Sequence, residues 1–100
     1  MLYSLWRGNM IEIRNESLQA TAYDGEKIIG KCQYRIDEDN WIIYHTDVDK
    51  EYGGQGIALR LLQAIVNKAK EEGKRIRPEC SYVRHVFEKD RDKYSDVIAD

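Results

Sequence analysis

A glycine run, Gly53-Gly54-Gln55-Gly56, stands between a β-branched and aromatic stretch, Trp41 to Val48, and an amphipathic stretch, Gln55 to Glu72. Glycine carries no Cβ, so a turn built from it lets the backbone approach a ligand closely. At a strand-to-helix turn it also leaves the first N–H groups of the helix unpaired and pointing outward. Such a terminus attracts anions, phosphate above all. The chain therefore carries a candidate phosphate cradle near its middle. His45 stands beside it, and neutral imidazole accepts a proton near pH 7. The competing reading of His45 is a side chain hydrogen-bonded on a sheet face. Asp49 and Glu51 flank the turn and offer carboxylate bases.

Two other glycine patterns lead nowhere. Gly25 to Lys31 spells G-x-x-x-x-G-K, but Cys32 replaces the Ser or Thr that a P-loop places on magnesium, and the second glycine falls inside a strand. Gly54-Gln55-Gly56 begins a dinucleotide fingerprint, but Leu59 stands where a third small residue is needed, and the preceding strands form no βαβ unit.

Several elements must position these groups. Ile11 to Arg14 and Leu18 to Tyr23 alternate apolar and polar residues, as half-buried strands do. Asp24-Gly25 makes a hairpin turn into a third strand, Lys27 to Ile36. Asp37 to Asn40 is a polar turn before the fourth, Trp41 to Val48. Four strands joined by short links form an antiparallel meander. Ile57, Ala58, Leu61, Leu62, Ile65, Val66 and Ala69 recur at helical spacing and define one buried face, with Gly73 as the stop. Arg75 to Cys80 reads as a fifth strand, parallel to the fourth through the helical crossover, with Pro78 interrupting its hydrogen bonding on one side. Ser81 caps a second helix bearing Val83, Val86 and Phe87, and Lys93 to Ala99 suits a last short one. The expected fold is α+β: a mixed five-stranded sheet with two to three helices.

Composition bounds the rest. A chain of 100 residues and net charge −2 supports one domain with one modest core. Residues 1–9 read as an N-terminal extension, Met10 as an alternative start, and residues 10–100 as the domain. No apolar run approaches membrane-spanning length and no signal peptide is present, so a cytoplasmic protein is expected. The two cysteines, Cys32 and Cys80, form no disulfide framework and show no metal-ligand spacing; no metal is expected. Residues 1–54 hold 10 acidic and 6 basic side chains, and residues 55–93 hold 6 acidic and 10 basic. The basic part begins at the glycine turn, which suits an anionic ligand, although solvated helix faces would look the same. No aromatic-interleaved basic surface for nucleic acid is visible.

The order strand, G-G-Q-G-I-A, amphipathic helix, Gly, strand resembles the Gcn5-related N-acetyltransferase family, whose pyrophosphate motif is Q/R-x-x-G-x-G/A. Gln55-Gly56-Ile57-Ala58 supplies its end, while Gly53 stands where the family usually has Gln or Arg. Three further stretches resemble the small, single-domain YjdJ-type branch: His45-Thr46-Asp47-Val48, Pro78 to Val83, and Tyr94 to Val97. Together the likeness covers roughly residues 11–98.

The resemblance implies an acetyl-coenzyme A site. Its pyrophosphate would lie on Gly53, Gly54, Gln55, Gly56, Ile57 and Ala58, and its pantetheine arm on the edge of the fourth strand at Asp47 and Val48, where the fourth and fifth strands splay. Tyr82 joins this set, as a proton donor to the departing thiolate or as a packing residue. Cys80 ends the fifth strand where the thioester should arrive; it is a nucleophile able to accept the acetyl group or a small buried residue, while Cys32 is core. His45 is the candidate base. Arg84, His85 and Lys89 could meet a phosphate or form a solvated face. The implied activity is acetyl transfer to an amine, on a small molecule or a protein. The alternative is a coenzyme A or acyl-coenzyme A binding module without turnover, and a third reading is an interaction domain using the basic C-terminal half.

Overall fold

The computed structural model describes residues 10–99; the proposed extension, residues 1–9, lies outside them. Five strands follow one another across a single sheet in the order β1 (Ile11–Glu16), β2 (Gln19–Asp24), β3 (Lys27–Asp37), β4 (Asn40–Val48), β5 (Arg75–Pro78). The first four form the expected antiparallel meander. β5 pairs parallel with β4, returned by helix α1 (Ile57–Glu71). A 3-10 turn at Lys50–Tyr52 precedes the glycines, and helices α2 (Ser81–Lys89) and α3 (Arg91–Tyr94) follow β5.

Local chemistry sets most boundaries. Gly25 turns the β2–β3 hairpin at φ +63° and Gly73 ends α1 at φ +69°, both in the left-handed region that glycine enters without strain. Leu18 also adopts a left-handed φ of 61°, so it belongs to the β1–β2 turn and β2 starts one residue later than its alternation suggests. β5 stops at Pro78 rather than Cys80. Proline brings no N–H, and the next two donors, Glu79 and Cys80, both give their N–H to the Ile43 carbonyl, at 2.9 and 3.0 Å. The last expected helix is displaced. Arg91–Tyr94 is helical, while residues 97–99 lie along the outer edge of β5, with the Ile76 N–H on the Val97 carbonyl at 2.7 Å and the Ala99 N–H on the Ile76 carbonyl at 2.8 Å. That edge carried unpaired backbone groups, and pairing them outweighed helix continuation.

α1 lays Ile57, Leu61, Leu62, Ile65, Val66 and Ala69 on one sheet face, with Trp41 stacked on Tyr34 at 4.6 Å and Phe87 tilted against Tyr94 at 4.8 Å. Burying each large aliphatic side chain contributes about 1.5–3 kcal/mol. The second sheet face lies opposite α1, and Thr21 on it is fully buried. This face carries a polar chain in which Gln33 donates to Gln19, Gln19 to Thr21, and Thr21 and Tyr23 to Glu16.

Candidate functional site

β4 pairs with β5 only over Asn40–Ile43. Beyond Ile43 a bulge interrupts the β3–β4 register: Tyr34 faces Ile43 and Gln33 faces His45, leaving Tyr44 as the extra residue. A bulge bends and twists its strand. β5 has ended by then, and its chain turns into α2. The gap expected between β4 and β5 is therefore present, with its apex at Ile43. The Asp49 N–H bonds back to the Ile29 carbonyl at 2.8 Å. Because strand backbone groups alternate in direction, Thr46 and Val48 turn theirs to the vacated edge, while those of Asp47 face β3.

The 3-10 turn Lys50–Tyr52 joins this edge to the glycine turn. Gly54 and Gly56 sit at φ +78° and +75°, and a Cβ on either would meet nothing within 4 Å. Gly53 is extended, at φ −64° and ψ 153°. Gly56 is the N-cap of α1, and the first helical bond runs from the Arg60 N–H to its carbonyl at 3.1 Å. Hence the N–H groups of Ile57, Ala58 and Leu59 have no partner within the helix. A cleft of about 160 Å³ lies over this terminus, walled by Val48, the glycines, Tyr52 and Tyr82. The Tyr52 hydroxyl donates to Asp24 at 2.5 Å, tying the turn to the β2–β3 hairpin, and that bond is the main reason its hydroxyl is pushed up to about 12. Burial raises the Tyr82 hydroxyl as well, so it keeps its proton near neutrality and can donate. Arg60, the first basic side chain of α1, turns away to the Ile11 carbonyl at 3.0 Å. The geometry suits a phosphate-bearing ligand with an extended amide-bearing arm: unpaired N–H groups at a helix terminus, then an unpaired strand edge.

The two candidate catalytic side chains are not brought together. Cys32 and Thr46 are Cα partners and face the core side of the sheet. Cys80, partly buried, reaches Thr46 Oγ1 at 3.5 Å from the same side. His45 pairs with Gln33 on the second face, half exposed, its Nε2 3.1 Å from Asp47 Oδ2. Thr46, Tyr52 and Leu59 line or brace the site although no sequence motif singles them out individually. Arg84, His85 and Lys89 lie on α2, with Arg84 and His85 exposed and all three outside the cleft lining.

Residues 19–97 match the GCN5-related N-acetyl-transferase family. The chain belongs to that family. A GCN5-like protein from Staphylococcus aureus is 36% identical, with a TM-score of 0.72 over 88% of this chain and 87% of its own. The ribosomal-protein-S18-alanine N-acetyltransferase of Escherichia coli superposes with a TM-score of 0.56 at 16% identity, over 75% of this chain and 45% of its own. YhbS of Escherichia coli, in complex with CoA, has a TM-score of 0.53 at 24% identity, over 73% of this chain and 42% of its own. These last two share the fold of this N-acetyltransferase domain, and the chain spans less than half the length of either. No curated protein matches it.

Cys32 should make this domain sensitive to alkali. Burial pushes its thiol up to about 11, against a smaller opposing pull from the hydrogen bond to Thr46. A thiol in the unfolded chain ionises near 8.5, so over that window the native state holds a proton that the unfolded state has released. The associated stability is present below about pH 8.5 and lost as pH rises toward 11. The expected loss is about 3 kcal/mol, and buried Tyr34 and partly buried Tyr82, also raised, act in the same direction at higher pH. Urea unfolding at neutral and strongly alkaline pH measures it. Cys32→Ala should flatten the slope, and an unchanged slope would assign the alkali sensitivity to the tyrosines.

Proposed function

We propose that the chain is an acetyl-coenzyme A-dependent N-acetyltransferase acting on an amine of a small molecule or of a protein surface. The observation that carries this reading is the β4 edge vacated after Ile43, whose end at Val48 shares one cleft with the unpaired N–H groups of Ile57, Ala58 and Leu59. The backbone of residues 54–58 would hold the pyrophosphate. Thr46 and Val48 would pair with pantetheine amides as an added strand does, and a β4 N–H would polarise the thioester carbonyl. Acetyl-coenzyme A supplies the activated acetyl group.

In this reading Cys80 stands at the apex of the gap, held by the bond from its N–H to the Ile43 carbonyl. Cys80 gives up its proton to solvent water, and its sulfur bonds to the acetyl carbon. The bond from that carbon to the coenzyme A sulfur breaks, and the departing thiolate takes up a proton, for which Tyr82 is a donor. Solvent returns a proton to Tyr82 once that residue has donated. Thiol and thioester exchange with no change of oxidation state. The amine then attacks acetylated Cys80. His45, oriented by Asp47, accepts the amine's proton from the second face of the sheet and is not the base for Cys80. A cytoplasmic setting fits two free thiols.

The S18-alanine enzyme shows that a protein amine can be an acceptor on this fold; the small-molecule acceptor stands beside it here. A free-thiol release assay with acetyl-coenzyme A over a panel of amines and peptides tests the proposal. Amine-dependent release supports it. Tight binding by isothermal titration with no release under any acceptor would make the chain a coenzyme A-binding module.

A further inference from the structure

Between the two thiols lies a hydroxyl with a role of its own. Thr46 Oγ1 is 3.3 Å from Cys32 Sγ and 3.5 Å from Cys80 Sγ. A hydroxyl has one proton to donate and two lone pairs to accept with, so it cannot donate to both sulfurs at once. We propose that Thr46 is a positioning residue for Cys80: Cys32 donates its S–H to Thr46 Oγ1, which leaves the Thr46 proton free for the Cys80 sulfur when that sulfur is ionised. The inference rests on the reading of Cys80 as the nucleophile.

The asymmetry between the two sulfurs sets the direction of this relay. Cys32 has no solvent exposure. Its burial keeps it a thiol across the neutral range, so it serves the cluster as a donor. Cys80 is only partly buried, and it is the N-cap of α2, where the Arg84 N–H bonds to its carbonyl at 3.0 Å. As a thiol, Cys80 donates to Thr46; as a thiolate, it can only accept. The hydroxyl turns about its C–O bond between these states while the Thr46 side chain stays fixed, because a β-branched residue is stiff at χ1 and its Cα is paired in register with Cys32. Among the described residues, Cys32 from β3 and Tyr82 from α2 are titratable groups in electrostatic reach of Cys80. His45 and Asp47 lie on the other face of β4, and Glu79, next to Cys80 in the chain, is engaged by Arg35 at 2.9 Å.

Alkylation by iodoacetamide reads the relay directly. The Cys80 thiolate attacks the reagent's carbon and iodide leaves, with no need for acetyl-coenzyme A or an acceptor. The rate is followed by mass spectrometry on the Cys80 peptide of the full chain, in the parent, Thr46→Val and Thr46→Ser, at neutral and at alkaline pH. Losing a hydrogen bond to a charged group lowers the thiolate population by about tenfold. The more basic thiolate is intrinsically more nucleophilic, so the net fall at neutral pH is about threefold. Thr46→Ser should restore the parent rate. At alkaline pH, where the thiol ionises unaided, the Thr46→Val rate should reach or exceed that of the parent.

An unchanged rate in Thr46→Val at neutral pH would overturn the proposal. So would an equal slowing at both pH values, which would indicate shielding rather than ionisation, or a failure of serine to rescue. Labelling of Cys32 marks a variant that has lost its fold, and Thr46→Ala then replaces valine with the same expectations. An intact Thr46 effect without any acetyl on Cys80 would fault the nucleophile reading alone. Acetyl on Cys80 without the Thr46 effect would fault this inference alone.

Discussion

Gly56→Val should weaken acetyl-coenzyme A binding by about a hundredfold or more while leaving a folded protein. Gly56 is at φ +75°, and valine there costs about 1–2 kcal/mol of backbone strain. The domain can absorb that cost, since a Cβ at this position meets no neighbour within 4 Å. The open space that tolerates the side chain in the free protein is the space a phosphate must enter to reach the N–H groups of Ile57, Ala58 and Leu59. A branched side chain therefore blocks the ligand directly and turns the N-cap away from it. Gly73→Val provides the control. Gly73 has φ +69° and equally empty surroundings, but it stands at the far end of α1. The two variants should lose similar stability by urea unfolding, and only the Gly56 variant should lose affinity by isothermal titration. Parent-like binding by a folded Gly56→Val protein would place the cradle elsewhere.

Cys80→Ala should reduce turnover by about a thousandfold or more and leave coenzyme A affinity within a small factor of the parent. A nucleophile forms the bond that the reaction needs and contributes little to holding the pyrophosphate. The sulfur reaches Thr46 but lies outside the lining of the cleft over the glycine turn. Loss of a small, partly buried side chain should lower stability by about 1 kcal/mol, too little to explain a dead enzyme. Incubating the parent with acetyl-coenzyme A and no acceptor should add one acetyl mass to the Cys80 peptide, and adding the amine should remove it. Turnover that survives in the alanine variant would mean direct attack by the amine, with Cys80 a packing residue. His45→Ala bears on the second half of the reaction: it should slow deacetylation by the amine and spare formation of acetylated Cys80, because His45 faces the other side of β4.

Much of this molecule was legible in the chain because much of it rests on local physics. The 3.6-residue recurrence from Ile57 to Ala69 yields a helix with one buried face whatever it packs on. Asp24-Gly25 closes a hairpin through backbone freedom at one residue. The glycine turn entails a helix start with unpaired N–H groups, and the meander followed by a crossover helix entails a parallel fifth strand.

The failures share a different cause. Leu18 reads as the first residue of an alternating strand, but closing the β1–β2 turn required a left-handed residue at that position. Residues 97–99 read as helix, but the edge of β5 offered backbone partners that lie about twenty residues earlier in the chain. The chain offers His45 as a candidate base and Cys80 as a candidate nucleophile, but it does not place them relative to one another. The bulge at Tyr44 and the pairing of His45 with Gln33 put the imidazole on the second face, while the register of Thr46 with Cys32 put the thiols on the other. Which face a strand residue occupies changes with a single-residue shift, and a bulge is such a shift. Spacing along the chain could name candidates for a cradle, a nucleophile and a base; only long-range strand register could decide which of them meet.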